Sequence, residues 1–213
     1  KNYEAFDILF NIKGIDRRAP PKAAEALYNA ATKNDIEAVK RLLQLKNIDV
    51  MAADGFRTSA FNAVCNLGKK ELILRMIEAH GGNINAGARP ALVNAVFKSA
   101  PADVIKTLLE IPGIDVNKQV KFVGSALRHA FRADQGDTIK LLLSHPSIDV
   151  NETYDGDPLL FSAVSGRTEF LKLLLAAPGL NINAKDAKGK TVLDHPAAKN
   201  PAVRELLLQA GAK

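Results

Sequence analysis

Residues 139–151 read Ile139-Lys140-Leu141-Leu142-Leu143-Ser144-His145-Pro146-Ser147-Ile148-Asp149-Val150-Asn151. Ile139, Leu142 and Leu143 stand at i, i+3 and i+4, the spacing of one face of a helix. Pro146-Ser147 stops that helix, and a lone valine between Asp149 and Asn151 closes the segment. The same construction recurs along the chain as Val39-x-x-Leu42-Leu43, Ile73-x-x-Met76-Ile77, Ile105-x-x-Leu108-Leu109, Leu171-x-x-Leu174-Leu175 and Val203-x-x-Leu206-Leu207. Successive first members lie 34, 32, 34, 32 and 32 residues apart. Eleven residues after each of the first five comes Val50, Ile84, Val116, Val150 or Ile182. An offset held constant across five copies marks a repeated structural unit.

A second column runs ahead of the first: Ala30, Ala63, Ala95, Ala130, Ala163 and Ala197. A small residue at a fixed place in a short helix lets neighbouring helices approach closely. Each unit therefore reads as helix, short turn, helix and an extended linker of about ten residues. The punctuation agrees. Pro101 and Pro201 fall where second helices begin, and Asp35, Asp103 and Asp137 place carboxylates at the same helix starts. Asp54-Gly55, Asp155-Gly156 and Lys188-Gly189 supply turn residues in the linkers.

The rest of the composition narrows the class. The chain has 213 residues, 47% apolar and 24% charged, the balance of a folded protein. No apolar run approaches the roughly 18 residues of a membrane helix. The single cysteine, Cys65, excludes an intramolecular disulfide and a cysteine-cluster zinc site. Basic residues exceed acidic ones to give a net charge of +6, which favours acidic partners.

With the columns in place, the chain resembles an ankyrin-repeat protein. Asp186-x-x-Gly189-x-Thr191-x-Leu193 carries the likeness best, and Asn83-Ile84-Asn85, Asp115-Val116-Asn117, Asp149-Val150-Asn151 and Asn181-Ile182-Asn183 match the family's closing motif. The resemblance implies an all-α repeat solenoid of ankyrin type, with stacked helix-turn-helix units joined by extended hairpin-like linkers. It divides residues 1–213 into one array: a half repeat or N-terminal cap helix at 1–21, repeats at 22–53, 54–86, 87–118, 119–151 and 152–184, and a capping repeat at 185–213. Pro196 predicts a short or distorted first helix in that last unit. The family's Thr-Pro-Leu-His is incomplete in Thr58-Ser59-Ala60-Phe61, Arg89-Pro90-Ala91-Leu92, Ser125-Ala126-Leu127-Arg128 and Asp157-Pro158-Leu159-Leu160. No copy has the histidine whose hydrogen bonds, with those of the Thr, link repeats in the family, so stacking here should lean more on apolar burial. The resemblance also makes Asn117, Asn151 and Asn183 candidates for asparaginyl hydroxylation.

Signals for chemistry are weak. Gly189-Lys190-Thr191 resembles the end of a phosphate-binding loop, but Ala184 stands where that loop requires glycine. Cys65 follows the alanine column on the same helix, a position for a buried small side chain. The four histidines form no close pair at metal-ligand spacing. Asn29, Asn62 and Asn94, continued by His129 and Ser162, form a polar column that suits backbone satisfaction more than ligand binding. Glu152, Asp155 and Asp157 share a turn with no apolar wall to hold one of them protonated. No catalytic, cofactor or metal residue is assigned, and the chain is expected not to be an enzyme.

Binding is another matter. In the family, the hairpin tips and the first helices form a concave protein-binding strip. Aromatic residues sit beside basic ones at the tips: Phe56 with Arg57, Phe122 with Lys121, and Tyr154 in an acidic tip formed by Glu152, Asp155 and Asp157. Such pairs have the composition of interaction hot spots. Arg89, Lys33, Asn66, Lys98 and Arg132 share the strip and give it a basic middle. The expected partner is another protein carrying an acidic segment flanked by a basic one. Nucleic acid is disfavoured because the excess is modest and interrupted, a membrane is not expected, and the chain is expected to be a monomer. The alternative is a substrate-targeting module of a larger enzyme or effector whose catalytic part lies outside this chain.

Overall fold

The computed structural model describes residues 22–46, 48–50, 59–80, 84–85 and 90–213, apart from the side chains of residue 66 and residues 78–80. The half repeat expected at 1–21 and the tip residues Phe56, Arg57 and Arg89 lie outside the described residues. The chain forms two compact units, residues 1–107 and 108–213.

The first unit contains α1 (Ala23–Thr32), α2 (Ile36–Leu42), α3 (Ala60–Asn66), α4 (Lys70–His80), α5 (Ala91–Phe97) and most of α6 (Ala102–Leu109). Helices of 7 to 11 residues are too short to persist alone, so their stability comes from the apolar faces they share. α1 packs on α2 and α3, and α3 packs on α4 and α5. Ile73, Met76 and Ile105 are fully buried, and Ala63 and Ala95 lie at the contacts between first helices. Side chains fix the helix starts: Asp35 accepts the Ala38 N–H at 3.2 Å, and Ser59 accepts the Asn62 N–H at 3.1 Å.

The second unit contains α7 (Ala126–Arg132), α8 (Gly136–Leu143), a two-stranded hairpin of β1 (Thr153–Tyr154) and β2 (Asp157–Pro158), α9 (Leu159–Ala163), α10 (Thr168–Leu175) and α11 (Pro201–Gln209). Thr153 pairs with Pro158 and Tyr154 with Asp157 in antiparallel register. α7 packs on α8 and α9, α10 packs on α8 and α9, and α11 packs on α10. Ile139, Leu142 and Leu174 are fully buried, while Leu143 and Leu175 are half-buried, so the i and i+3 positions carry the core and i+4 borders it. Gly136 permits the close approach of α8 and α10, since a Cβ there would stand 2.4 Å from Cε1 of Phe170.

The last unit departs from the alanine column. Two 3₁₀ turns, Val192–Asp194 and Pro196–Lys199, replace its first helix, as expected from the donor missing at Pro196. The tighter winding buries Ala198 and leaves Ala197 half-buried, so Ala198 occupies the place that spacing had given to Ala197. Among the described residues, no helix is long and apolar enough to cross a membrane.

Candidate functional site

The side chains that organise the second unit begin at Ser125, whose Oγ caps α7 by accepting the Arg128 N–H at 3.0 Å. Capping sets the helix so that Arg128, where the family motif has histidine, points toward the next hairpin. Its Nε donates to Oε1 of Glu152 at 3.2 Å, and its Nη2 donates to the carbonyls of Glu152 at 3.3 Å and Asp157 at 2.9 Å. Its Nη1 donates to Oγ of Ser162 at 3.0 Å. One guanidinium therefore ties α7 to the residue that precedes β1, to β2 and to α9. Stacking here therefore does not lean on apolar burial in place of the histidine's bonds as far as expected, because a fork of donors reaches several acceptors at once.

Glu152 is also not where the sequence placed it. It is 5% exposed and buried against Arg128, so the acidic tip consists of Asp155 and Asp157 alone. Burial pushes the Glu152 carboxyl above its ordinary range and the Arg128 guanidinium below its own. The pairing of the two, with the Ser125 hydroxyl bond to Glu152, opposes those shifts.

A second set of bonds runs along the closing motif. Asn117 Nδ2 donates to the Ser147 carbonyl at 2.7 Å while its Oδ1 accepts the Asp149 N–H at 2.8 Å. Asn151 does the same with Gly179 and Asn181, at 2.8 and 2.7 Å. Asn183 repeats it with Gly211 and Lys213, at 3.2 and 2.7 Å. Each amide satisfies backbone groups in the turn of the next unit, which fixes one unit against the next.

Between these supports lies an open cleft of about 880 Å³. Its floor and helical wall come from Arg128, Phe131, Arg132, Phe161, Ser162 and Ser165. Its other wall comes from the hairpin residues Tyr154, Asp155 and Asp157 and from Lys188 and Lys190 of the next tip. His195 closes one end with its ring edge-on to Phe161, centroids 5.7 Å apart. Its Nδ1 accepts the Ala197 N–H at 3.2 Å, and burial holds the imidazole below its usual range, against the pull of Asp157. Of the predicted residues, the cleft unites Tyr154 and Arg132. Arg128, Phe161, His195, Lys188 and Lys190 join them without having been singled out, although Lys188 and Lys190 sit in the last tip, whose net charge is legible as +2.

Phe122 stands at the tip preceding this cleft and is 83% exposed. Its backbone adopts φ +68°, a left-handed conformation unusual for a bulky side chain. Its N–H donates to the Tyr154 hydroxyl at 2.5 Å, and the Lys121 ammonium lies 5.0 Å from its ring centroid. Tyr154 in turn carries the Arg128 guanidinium 6.0 Å from its ring. In the first unit, Lys33 follows α1 and Lys98 follows α5, both exposed, and Lys98 lies over its neighbour Phe97 at 5.9 Å. Asn66 is the last residue of α3.

The weaker chemical signals find structural places. Cys65 is fully buried, which pushes its thiol far above the range of a nucleophile. Gly189-Lys190-Thr191 forms a turn in which Asp186 Oδ1 accepts the N–H groups of Lys188 and Lys190, and a 3₁₀ turn follows in place of a long helix. Among the described residues, no group of three His, Cys, Asp or Glu side chains gathers as metal ligands would.

Comparison with known proteins agrees on one family. A family model of ankyrin repeats (3 copies) matches residues 2–120 and 126–213. The chain is 26% identical to an ankyrin repeat domain from Acinetobacter baumannii AYE, with a TM-score of 0.74 over 88% of this chain and 98% of that one. The ankyrin repeat domain of Bcl-3, described as a unique member of the IkappaB protein family, is 22% identical, with a TM-score of 0.76 over 88% and 86%. A structure of a predatory endopeptidase from Bdellovibrio bacteriovorus in complex with its immunity protein gives 24% identity and a TM-score of 0.69 over 87% and 98%. A search of curated proteins finds no match. Ankyrin repeats are generally non-catalytic protein–protein interaction modules. The matched residues span nearly the whole sequence, and the chain belongs to the ankyrin-repeat family.

Proposed function

We propose that this chain is a non-catalytic protein-recognition scaffold, carried on the array of repeats that the sequence columns delimit. Its partner is a protein with an acidic segment, bound as a rigid surface binds, by complementary shape and charge. The observation that carries this reading is Phe122: a large aromatic side chain is held in solvent by a left-handed backbone and a hydrogen bond to the Tyr154 hydroxyl. Folding alone gains little from that arrangement, whereas an aromatic anchor beside an exposed lysine suits an interface centre. Lys121 and Tyr154 flank it, Arg132 lines the cleft together with Tyr154, and Lys33, Asn66, Lys98, Phe56, Arg57 and Arg89 extend the same role to the first unit. Affinity capture with the intact chain, compared with a Lys121→Glu and Phe122→Ala variant, tests the reading. Loss of specific retained proteins is expected, and identical sets would remove it.

A further inference from the structure

Resting on that recognition reading, we infer that the second unit takes an extended partner segment in which an acidic, a basic and an acidic residue follow at intervals of about three positions. Exposed charge alternates in sign across three adjacent tips. The first carries Lys118 and Lys121, both exposed, with Arg132 behind them on the helix of the same repeat. The second carries Asp155 and Asp157, exposed and without an ion-pair partner among the described residues. The third carries Lys185, Lys188 and Lys190, all exposed.

The other charged groups nearby do not reverse this order. Glu152 neutralises Arg128, Asp134 accepts the Arg167 N–H at 3.3 Å, and Asp194 accepts the Thr191 N–H at 3.0 Å. Asp186 is held by the N–H groups of Lys188 and Lys190. Bonds to neutral N–H groups leave the charges of Asp186 and Asp194 in place, but the three lysines outnumber them and residues 183–194 still net +1, so the order across the tips is positive, negative, positive.

The three tips are neighbours in space. Gln119 Nε2 donates to the Thr153 carbonyl at 2.8 Å and the Phe122 N–H reaches Tyr154, joining the first to the second. A Cβ on Gly156 would lie 2.8 Å from the Ala187 Cβ, so the second touches the third. Helices of adjacent repeats pack about 8–10 Å apart, and an extended chain advances about 3.3 Å per residue. One tip-to-tip step therefore matches about three residues of a strand crossing them.

The test is fluorescence anisotropy with two labelled peptides of identical composition, one ordered Glu-x-x-Arg-x-x-Glu and the other with its two Glu adjacent and its Arg displaced. The intact chain is expected to prefer the first by about tenfold at low salt, falling as salt rises. An Asp155→Asn and Asp157→Lys variant is expected to lose that preference, and asparagine keeps the left-handed backbone at position 155 accessible. Circular dichroism checks its folding. Equal binding of both peptides, abolished by Phe122→Ala, would overturn the charge order while leaving the recognition face standing. If neither peptide binds, the charge order is overturned, and a random-peptide display selection on the intact chain decides the face. Selected peptides that depend on Phe122 keep it, and none would remove it as well.

Discussion

Arg128 and Glu152 meet at 3.2 Å with both side chains 4% exposed, an ion pair that joins the first helix of one repeat to the hairpin of the next. Taking either charge away strands the other in a site nearly closed to water. Glu152→Gln should therefore destabilise the chain by about 3–5 kcal/mol, and adding Arg128→Met should recover a substantial part of that loss. Urea denaturation of both singles and the double measures the coupling. Simple additivity would mean that the two groups do not act as a pair.

Gly124 makes room for that arginine. Its φ is +83°, and a Cβ there would come within 2.7 Å of the Arg128 Cδ. Gly124→Ala should cost about 1–3 kcal/mol through left-handed strain and displacement of the guanidinium. Because the two positions share one cause, the change should cost less in an Arg128→Ala background. Thermal unfolding of the four proteins shows whether it does.

The asparagine bonds predict a different pattern. Asn151→Ala removes a donor to Gly179 and an acceptor for Asn181, two solvent-accessible bonds together worth about 1–2 kcal/mol. The loss should be local. Hydrogen exchange is expected to speed up at the Asn181 amide while the amides buried under Leu142 stay protected. Uniform acceleration across the second unit would show that the bond supports global stability instead.

Much of this architecture is legible in the residue order, because helix faces and turn residues are local properties. Ile139, Leu142 and Leu143 declare a helix whatever surrounds them, and Pro196 declares a broken one. Arg128 and Glu152 are illegible in the sequence for the opposite reason. Their roles depend on each other across 24 residues, and nothing beside Glu152 in the sequence separates a buried carboxylate from the exposed Asp155 and Asp157 on the same turn. The motif's histidine is absent at position 128, yet the arginine there is long enough to reach acceptors in the next repeat. Lys188 and Lys190 reach the cleft through the folding of a tip, of which the sequence shows only the net charge of +2 over residues 183–192.

Under the proposed recognition role, Phe122 sets stability against binding. A left-handed backbone at a phenylalanine is strained by roughly 1–2 kcal/mol, and glycine would relieve it while regaining freedom in the unfolded chain. Phe122→Gly should therefore stabilise the fold by about 0.5–1 kcal/mol, a rise of a few degrees in Tm. It should also weaken partner binding by tenfold or more, since the aromatic anchor is gone. Phe122→Ala separates the two effects: it removes the same anchor and keeps most of the strain, so it should bind as poorly without the gain in Tm. Differential scanning calorimetry with peptide binding on the same three proteins decides the matter. A Phe122→Gly protein that is both less stable and equally able to bind would assign the aromatic ring a packing role instead.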